Sequence, residues 1–248
     1  MTDYRKLFDL TGRVALVIGG ASGIGEAGAE AMAQFGATCV VADLSLQGEA
    51  HVDVTRTQSV DALVERVLRE HQRIDVLLVT PARNMRKRLT EYSDEDFDAV
   101  VDLNLKGTFR AARAVAKPMM RQRRGSIILL SSIRSVTTEP GQSIYAATKS
   151  GIALMAKALA AELAACNVRV NALAPGIVET PLTRPITSNP QWNEAYASRS
   201  ALGRWAKASE MAGPIVFLAS DASSYLTGSV IFADGGWTAI DGRYQPPV

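Results

Sequence analysis

A glycine-rich turn set between a β-branched run and a helical pattern constrains this chain more than any other stretch. Arg13-Val14-Ala15-Leu16-Val17-Ile18 is short and apolar, in the manner of a strand buried on both faces of a parallel sheet. Gly19-Gly20-Ala21-Ser22-Gly23-Ile24-Gly25 follows it directly. A helical pattern then runs from about Ile24 to Phe35, and Gly36 stops it. A second strand, Thr38 to Ala42, ends at Asp43. Strand, glycine turn, helix, strand and acid in this order make a dinucleotide-binding βαβ unit. The glycines let the backbone approach a pyrophosphate, and the helix N-terminus offers it N–H groups and a positive dipole.

Chemistry enters further along, at Tyr145-Ala146-Ala147-Thr148-Lys149, with Ser132 thirteen residues before Tyr145. On a helix, residues four apart share a face, so Tyr145 and Lys149 project side by side. An ammonium beside a phenol stabilises the phenolate, so the sequence predicts a Tyr145 pKa lowered from its usual value of about 10 towards neutrality. A tyrosine so placed is a general acid and base usable at cellular pH.

With these residues in place, the chain resembles the short-chain dehydrogenase/reductases over essentially its whole length. The resemblance is carried by Gly19…Gly23-Ile24-Gly25, Asp53-Val54, Asn104, Ser132, Tyr145…Lys149, Pro175-Gly176 and Asp234-Gly235-Gly236, in matching order and spacing. It implies one Rossmann domain over residues 1–248, NAD(P)-dependent hydride transfer at a carbinol or carbonyl carbon, and a homotetramer. It also implies roles. Tyr145 is the proton donor and acceptor, and Lys149 holds the nicotinamide ribose and lowers the Tyr145 pKa. Ser132 orients the substrate oxygen, and Asn104 holds a water that links Lys149 to solvent. Gly19, Ser22, Gly23, Ile24 and Gly25 cradle the cofactor. Asp53 meets the adenine amine, and Val54 supplies backbone. Pro175, Gly176, Ile177 and Thr180 resemble the segment that binds the nicotinamide carboxamide.

Asp43 selects the cofactor. A carboxylate at the end of the second strand accepts hydrogen bonds from the 2′-hydroxyl of NAD and repels the 2′-phosphate of NADP. Where NADP-preferring relatives place Arg or Lys, this chain has Ala21, Ser22 and Leu44. NAD is therefore expected over NADP.

The chain departs from the family's pattern in three places. Only seven residues, Leu44 to Ala50, separate Asp43 from the third strand, where the family places a helix. Ile18 stands where the family has Thr. Thr80-Pro81-Ala82-Arg83 stands where it has Asn-Asn-Ala-Gly. In relatives that threonine bonds across to the asparagine segment, so the sequence suggests that Thr80 supplies the hydroxyl Ile18 lacks. Pro81 removes one N–H.

Strands and helices alternate throughout, which predicts an α/β fold: a doubly wound parallel sheet of about seven strands with helices on both faces. The expected strands begin at Arg13, Thr38, His51, Ile74, Ser126, Val168 and Ser229. The expected helices include Thr57 to His71, one long helix from Asp94 to Arg121, Ser143 to Ala165, and Ser209 to Ala219. Residues 177–205 read as an irregular, partly helical substrate-loop excursion.

Composition narrows the function. At 248 residues the chain can bury one substantial core. A net charge of +2 demands no polyanionic partner, and the basic run around Arg83 to Arg88 is answered by Glu91 to Asp96, so no nucleic acid is expected. Two cysteines, Cys39 and Cys166, read as free thiols in a reducing cytoplasm. With only His51 and His71 as histidines, a metal site is not expected. There is no G-x-S-x-G elbow for a hydrolase. No apolar run reaches membrane-spanning length, and the charged stretch Met1 to Leu10 does not read as a signal peptide. The expected substrate pocket includes Ser132, Arg134, Gln142 and Tyr145. Arg134 is a charged residue two positions after Ser132, and it needs a partner. That partner is either a carboxylate or phosphate on the substrate, or Glu139 or Glu179 of the chain. A polyol, sugar or sugar acid is the leading substrate class. A nucleotide-binding regulator or scaffold without turnover is the alternative, supported only by Thr80-Pro81.

Overall fold

The computed structural model describes residues 3–241. Met1 and Thr2, part of the charged N-terminal stretch read above, lie outside the described residues, as do residues 242–248. The strands are β1 (Val14–Ile18), β2 (Thr38–Ala42), β3 (Val76–Val79), β4 (Gly125–Leu130), β5 (Val168–Pro175), β6 (Val178–Glu179), β7 (Ala206–Lys207) and β8 (Val230–Ala233). The helices are α1 (Gly23–Gln34), α2 (Thr57–His71), α3 (Asp94–Val101), α4 (Gly107–Gln122), α5 (Ser143–Leu163), α6 (Arg184–Thr187), α7 (Pro190–Ala197) and α8 (Ala212–Ala219).

Six strands form a parallel sheet in the order β2-β1-β3-β4-β5-β8. β1 and β3 are buried along their full length, which is why they carry unbroken apolar runs rather than alternation. Side chains of alternate strand residues feed two cores. On one face Leu16, Ile18, Leu77 and Ile127 pack with residues of α2, α4 and α5. On the other, Ala15, Val17, Leu78 and Ile128 pack with α1 and α8. The chain reverses direction across the sheet between β1 and β3. In open α/β sheets, the carboxyl ends of strands at such a switch point form a binding crevice.

Three expectations are corrected. The strand expected at His51 to Val52 is reduced to one isolated bridge, Asp43 with His51, so the sheet has six strands rather than about seven. The link from Asp43 is too short for a crossover helix. It makes one 3-10 turn, Gly48–Ala50, and returns at the sheet edge. The long helix expected from Asp94 to Arg121 is divided into α3 and α4 by a π-helical segment, Asp102–Lys106. Apolar periodicity continues through it, so pattern alone does not register the extra residue. The excursion at 177–205 holds the expected helical turns, α6 and α7, and adds one unexpected element: β6 pairs in parallel with β7. No described helix is long and apolar enough to cross a membrane.

Candidate active site

The carboxyl ends of β1 to β5 open into one cleft of about 440 Å³. At its floor the chain leaves β1 through Gly19, whose φ of +85° suits glycine. A Cβ on Gly25 would sit 2.1 Å from the Gly19 carbonyl oxygen, so the first turn of α1 folds back against the turn before it. Ser22 is the N-cap of α1, and its side chain makes no capping hydrogen bond. Thr80, just past β3, donates its hydroxyl to the Gly19 carbonyl at 2.8 Å and lies 3.2 Å from that of Ile18. The hydroxyl that Ile18 lacks is thus supplied from the neighbouring strand, and it clamps the turn.

Asp43 directly follows β2 and lines the cleft. One carboxylate oxygen accepts from the Ser45 amide (2.9 Å) and hydroxyl (2.8 Å), and the other faces the Ala21 amide at 3.4 Å. Asp53 is held by the Thr55 amide and hydroxyl and by Arg56. Burial raises its pKa, but these donors outweigh burial and lower it overall. The cradle fits a dinucleotide: glycine backbone with no room for side chains, a helix N-terminus, and an acid at the end of the second strand.

Ser132, Tyr145 and Lys149 line the same cleft. Ser132 follows β4 and accepts a hydrogen bond at Oγ from the Arg134 amide, 3.1 Å. Tyr145 and Lys149 sit one turn apart on α5, both buried. The Lys149 ammonium donates to the Leu130 carbonyl at 2.8 Å and lies 5.6 Å from the Tyr145 ring centroid. The expected lowering of the Tyr145 pKa is not what this geometry produces. Burial pushes Tyr145 up to about 12, opposed by its hydrogen bond with Ser132 and by the charge of Arg134. Burial also takes Lys149 down to about 7. The two groups share a dry site, and desolvation disfavours the charged form of each.

Asn104 lies in the π-helical segment and is fully buried. Its side-chain oxygen accepts from the Arg83 amide (2.7 Å), and its nitrogen donates to the Arg83 carbonyl (2.9 Å) and Thr148 Oγ1 (3.2 Å). The side chain therefore clips the loop after β3 to α5, and both its N–H groups are spent.

Arg134 is buried, and its guanidinium pairs with Glu139 at 3.0 Å while stacking over Trp237. Of the two partners weighed for it, the chain supplies its own. Glu139 also accepts from Arg86 (2.8 Å), from Gln142 (2.6 Å) and from the Tyr196 hydroxyl. Burial would raise the Glu139 pKa, but Tyr196, Arg134 and Arg86 together hold it below its ordinary value.

Of the predicted residues, Gly19, Ser22, Gly23, Ile24, Gly25, Asp43, Asp53, Val54 and Thr80 line the cleft. So do Pro175, Gly176 and Thr180 at its other rim. Asn104, Arg134, Gln142 and Ile177 do not. Leu44, read above only for lacking a positive charge, lines it too, and so do Leu103 and Leu182, which were not read from the sequence because an isolated leucine carries no chemical signal. Tyr196 was also missed. It joins the site only through the fold, 57 residues from Glu139 in the chain.

A family description, Enoyl-(Acyl carrier protein) reductase, matches residues 19–238. The chain is 42% identical over 243 residues to the 3-oxoacyl-[acyl-carrier-protein] reductase FabG of Thermotoga maritima, covering 92% of this chain and 98% of that protein. It is 34% identical over 243 residues to cyclopentanol dehydrogenase of Comamonas testosteroni, covering 92% and 97%. It superposes with a TM-score of 0.90 on a gluconate 5-dehydrogenase from Burkholderia cenocepacia crystallised with NADP and tartrate, at 31% identity and covering 95% and 98% of the two chains.

Proposed function

The chain belongs to the short-chain dehydrogenase/reductase family of oxidoreductases, and on that premise we propose that it interconverts a secondary alcohol and a ketone with NAD. The observation that carries this reading is one cleft with Asp43 at one end and Ser132, Tyr145 and Lys149 at the other. Asp43 would take the ribose hydroxyls of NAD, and the glycine turn its pyrophosphate. When bound, NAD supplies the acceptor for the hydride of the carbinol carbon. Ser132 orients the substrate oxygen. Tyr145 takes the carbinol O–H proton during oxidation and returns it during reduction. Lys149 adds positive charge one turn away.

The substrate class we favour is a polyol, sugar or sugar acid. The likeness to a gluconate 5-dehydrogenase supports it. Reduction of a 3-oxoacyl thioester is the second reading, favoured by 42% identity to a 3-oxoacyl-[acyl-carrier-protein] reductase. One screen separates them: NAD reduction over polyols, sugar acids and cyclic secondary alcohols, beside NAD(P)H oxidation with a 3-oxoacyl thioester. Turnover of a polyol or sugar acid with NAD supports the first reading. Turnover of the thioester alone establishes the second, and a higher kcat/KM with NADP overturns the cofactor assignment. The proposed assembly is a homotetramer acting in the cytoplasm. An apolar hollow between α4 and α5, with Phe109 and Leu154 exposed, supports association, and free Cys39 and Cys166 suit a reducing compartment. A monomeric mass by light scattering would exclude the tetramer.

A further inference from the structure

The link after β2 is too short for a helix, yet it is held as a closed loop. At its ends the Asp43 amide donates to the Ala50 carbonyl (3.0 Å), and the Val52 amide donates to the Asp43 carbonyl (3.1 Å). Across its middle, His51 Nδ1 lies 3.1 Å from the Leu44 carbonyl oxygen and 3.2 Å from that of Leu46. Carbonyl oxygens only accept, so this nitrogen carries the hydrogen and ties down the residues on either side of Ser45.

Ser45 is thereby set against Asp43. Its amide (2.9 Å) and its hydroxyl (2.8 Å) both donate to the same carboxylate oxygen, Oδ1. A carboxylate oxygen offers about two lone-pair sites, so the chain itself saturates Oδ1. Oδ2 is turned towards the glycine turn, where the Ala21 amide lies at 3.4 Å, a long and weak contact. The turn is fixed to the same strand end, since the Gly19 amide donates to the Ala42 carbonyl at 2.8 Å. Among the described residues no cation pairs with Asp43, so Ser45 is the group that sets the rotation of its carboxylate.

We propose that Ser45 is a positioning residue for cofactor selectivity: it pins the Asp43 carboxylate with Oδ2 towards the glycine turn, so that a 2′-phosphate meets a charge that cannot turn aside. The idea rests on the reading of Asp43 as the acid that meets the adenosine ribose. An unpinned carboxylate can rotate or change rotamer and so relieve its repulsion of a second anion. A pinned one keeps its charge where a 2′-hydroxyl would bond and a phosphate would be repelled. Discrimination then depends on the Ser45 hydroxyl as well as on the Asp43 charge. The amide half of the contact belongs to the backbone and survives any substitution at 45 except proline. The hydroxyl is the half that the side chain controls.

The test needs no turnover. ADP-ribose and 2′-phospho-ADP-ribose are titrated into the full chain by calorimetry, and the ratio of their Kd values is compared between variants. Ser45 is exposed, so its side chain can be shortened without opening the core. In Ser45→Ala the preference for the unphosphorylated probe should fall about fivefold, the scale of one charge-assisted hydrogen bond screened by solvent. Ser45→Thr keeps a hydroxyl and should keep the ratio of the unaltered chain. An unchanged ratio in Ser45→Ala, equal weakening of both probes, or the same fall in Ser45→Thr as in Ser45→Ala would overturn the proposal. The unaltered chain tests the NAD assignment separately. Were it to bind the phosphorylated probe more tightly, that assignment would fail, and the shift between variants would still decide whether Ser45 pins the acid.

Discussion

The two ends of the cleft are built on different principles. The cofactor end is made from backbone: Gly19 and Gly25 are packed so tightly that no side chain fits, and Thr80 clamps their turn. Beside the catalytic end lies charge: buried Lys149 and Arg134, with half-buried Glu139 and Arg86, each held by a named partner. Backbone geometry tolerates little and is set by residues adjacent in sequence. A charge network can be retuned by any of its members, and those members come from three separate stretches of chain. The difference suits the division of labour, with a constant ligand at one end and a variable one at the other.

Four variants probe that contrast, beginning with the largest effect. Tyr145→Phe leaves the cofactor cradle untouched but removes the hydroxyl proposed to carry the proton. Turnover should drop by about 10²–10⁴-fold with the cofactor Kd unchanged. If more than about a tenth of the activity survives, the proton is carried elsewhere.

Gly25→Ala attacks the backbone end alone. Its Cβ would press on the Gly19 carbonyl at 2.1 Å, and neither atom is on a flexible side chain. Cofactor affinity should fall at least tenfold by fluorescence titration. A variant that binds cofactor normally would show that the turn is less rigid than its packing indicates.

Asp43→Ala removes a charge that belongs to the cofactor end. The kcat/KM ratio of NAD to NADP should fall roughly tenfold, the scale of one lost charge-assisted hydrogen bond of about 1.5 kcal/mol. An unchanged ratio would leave the choice to other groups.

The last effect is on stability rather than on turnover. Lys149 has a folded pKa of about 7 against an ordinary value of 10.5. Between those values the unfolded chain binds the extra proton, so this group makes stability rise with pH, and its full burden is felt below pH 7. Lys149→Met removes the burden. Its gain in Tm over the unaltered chain should be larger at about pH 6 than at about pH 10, and equal gains would mean that burial does not penalise the ammonium.

The same contrast explains what the sequence showed and what it hid. The cofactor end was legible because its parts are contiguous: β1, the turn, α1, β2 and Asp43 occupy one unbroken stretch. Ser132, Tyr145 and Lys149 were legible through spacing, and they line the cleft together. The ionisation of Tyr145 was not legible, because spacing places Lys149 beside it but says nothing of how dry the site is. Arg134 illustrates the limit. Its position marked it as needing a partner, yet only the fold shows that Glu139 takes it and shares itself with Arg86, Gln142 and Tyr196. The π-helical turn at Asn104 was hidden for a related reason. One extra residue in a helix leaves the apolar pattern almost untouched, yet it turns the amide onto the loop after β3.

The Thr80 clamp also bears on how such a chain can change over time. Because the hydroxyl bridges two neighbouring strands, it can be donated from either of them, and positions 18 and 80 are one heritable unit rather than two. A lineage that passes the hydroxyl from one strand to the other crosses an intermediate with either two hydroxyls or none. The doubled state costs little room at a strand end, while the empty state leaves the turn unclamped, so the passable route runs through redundancy.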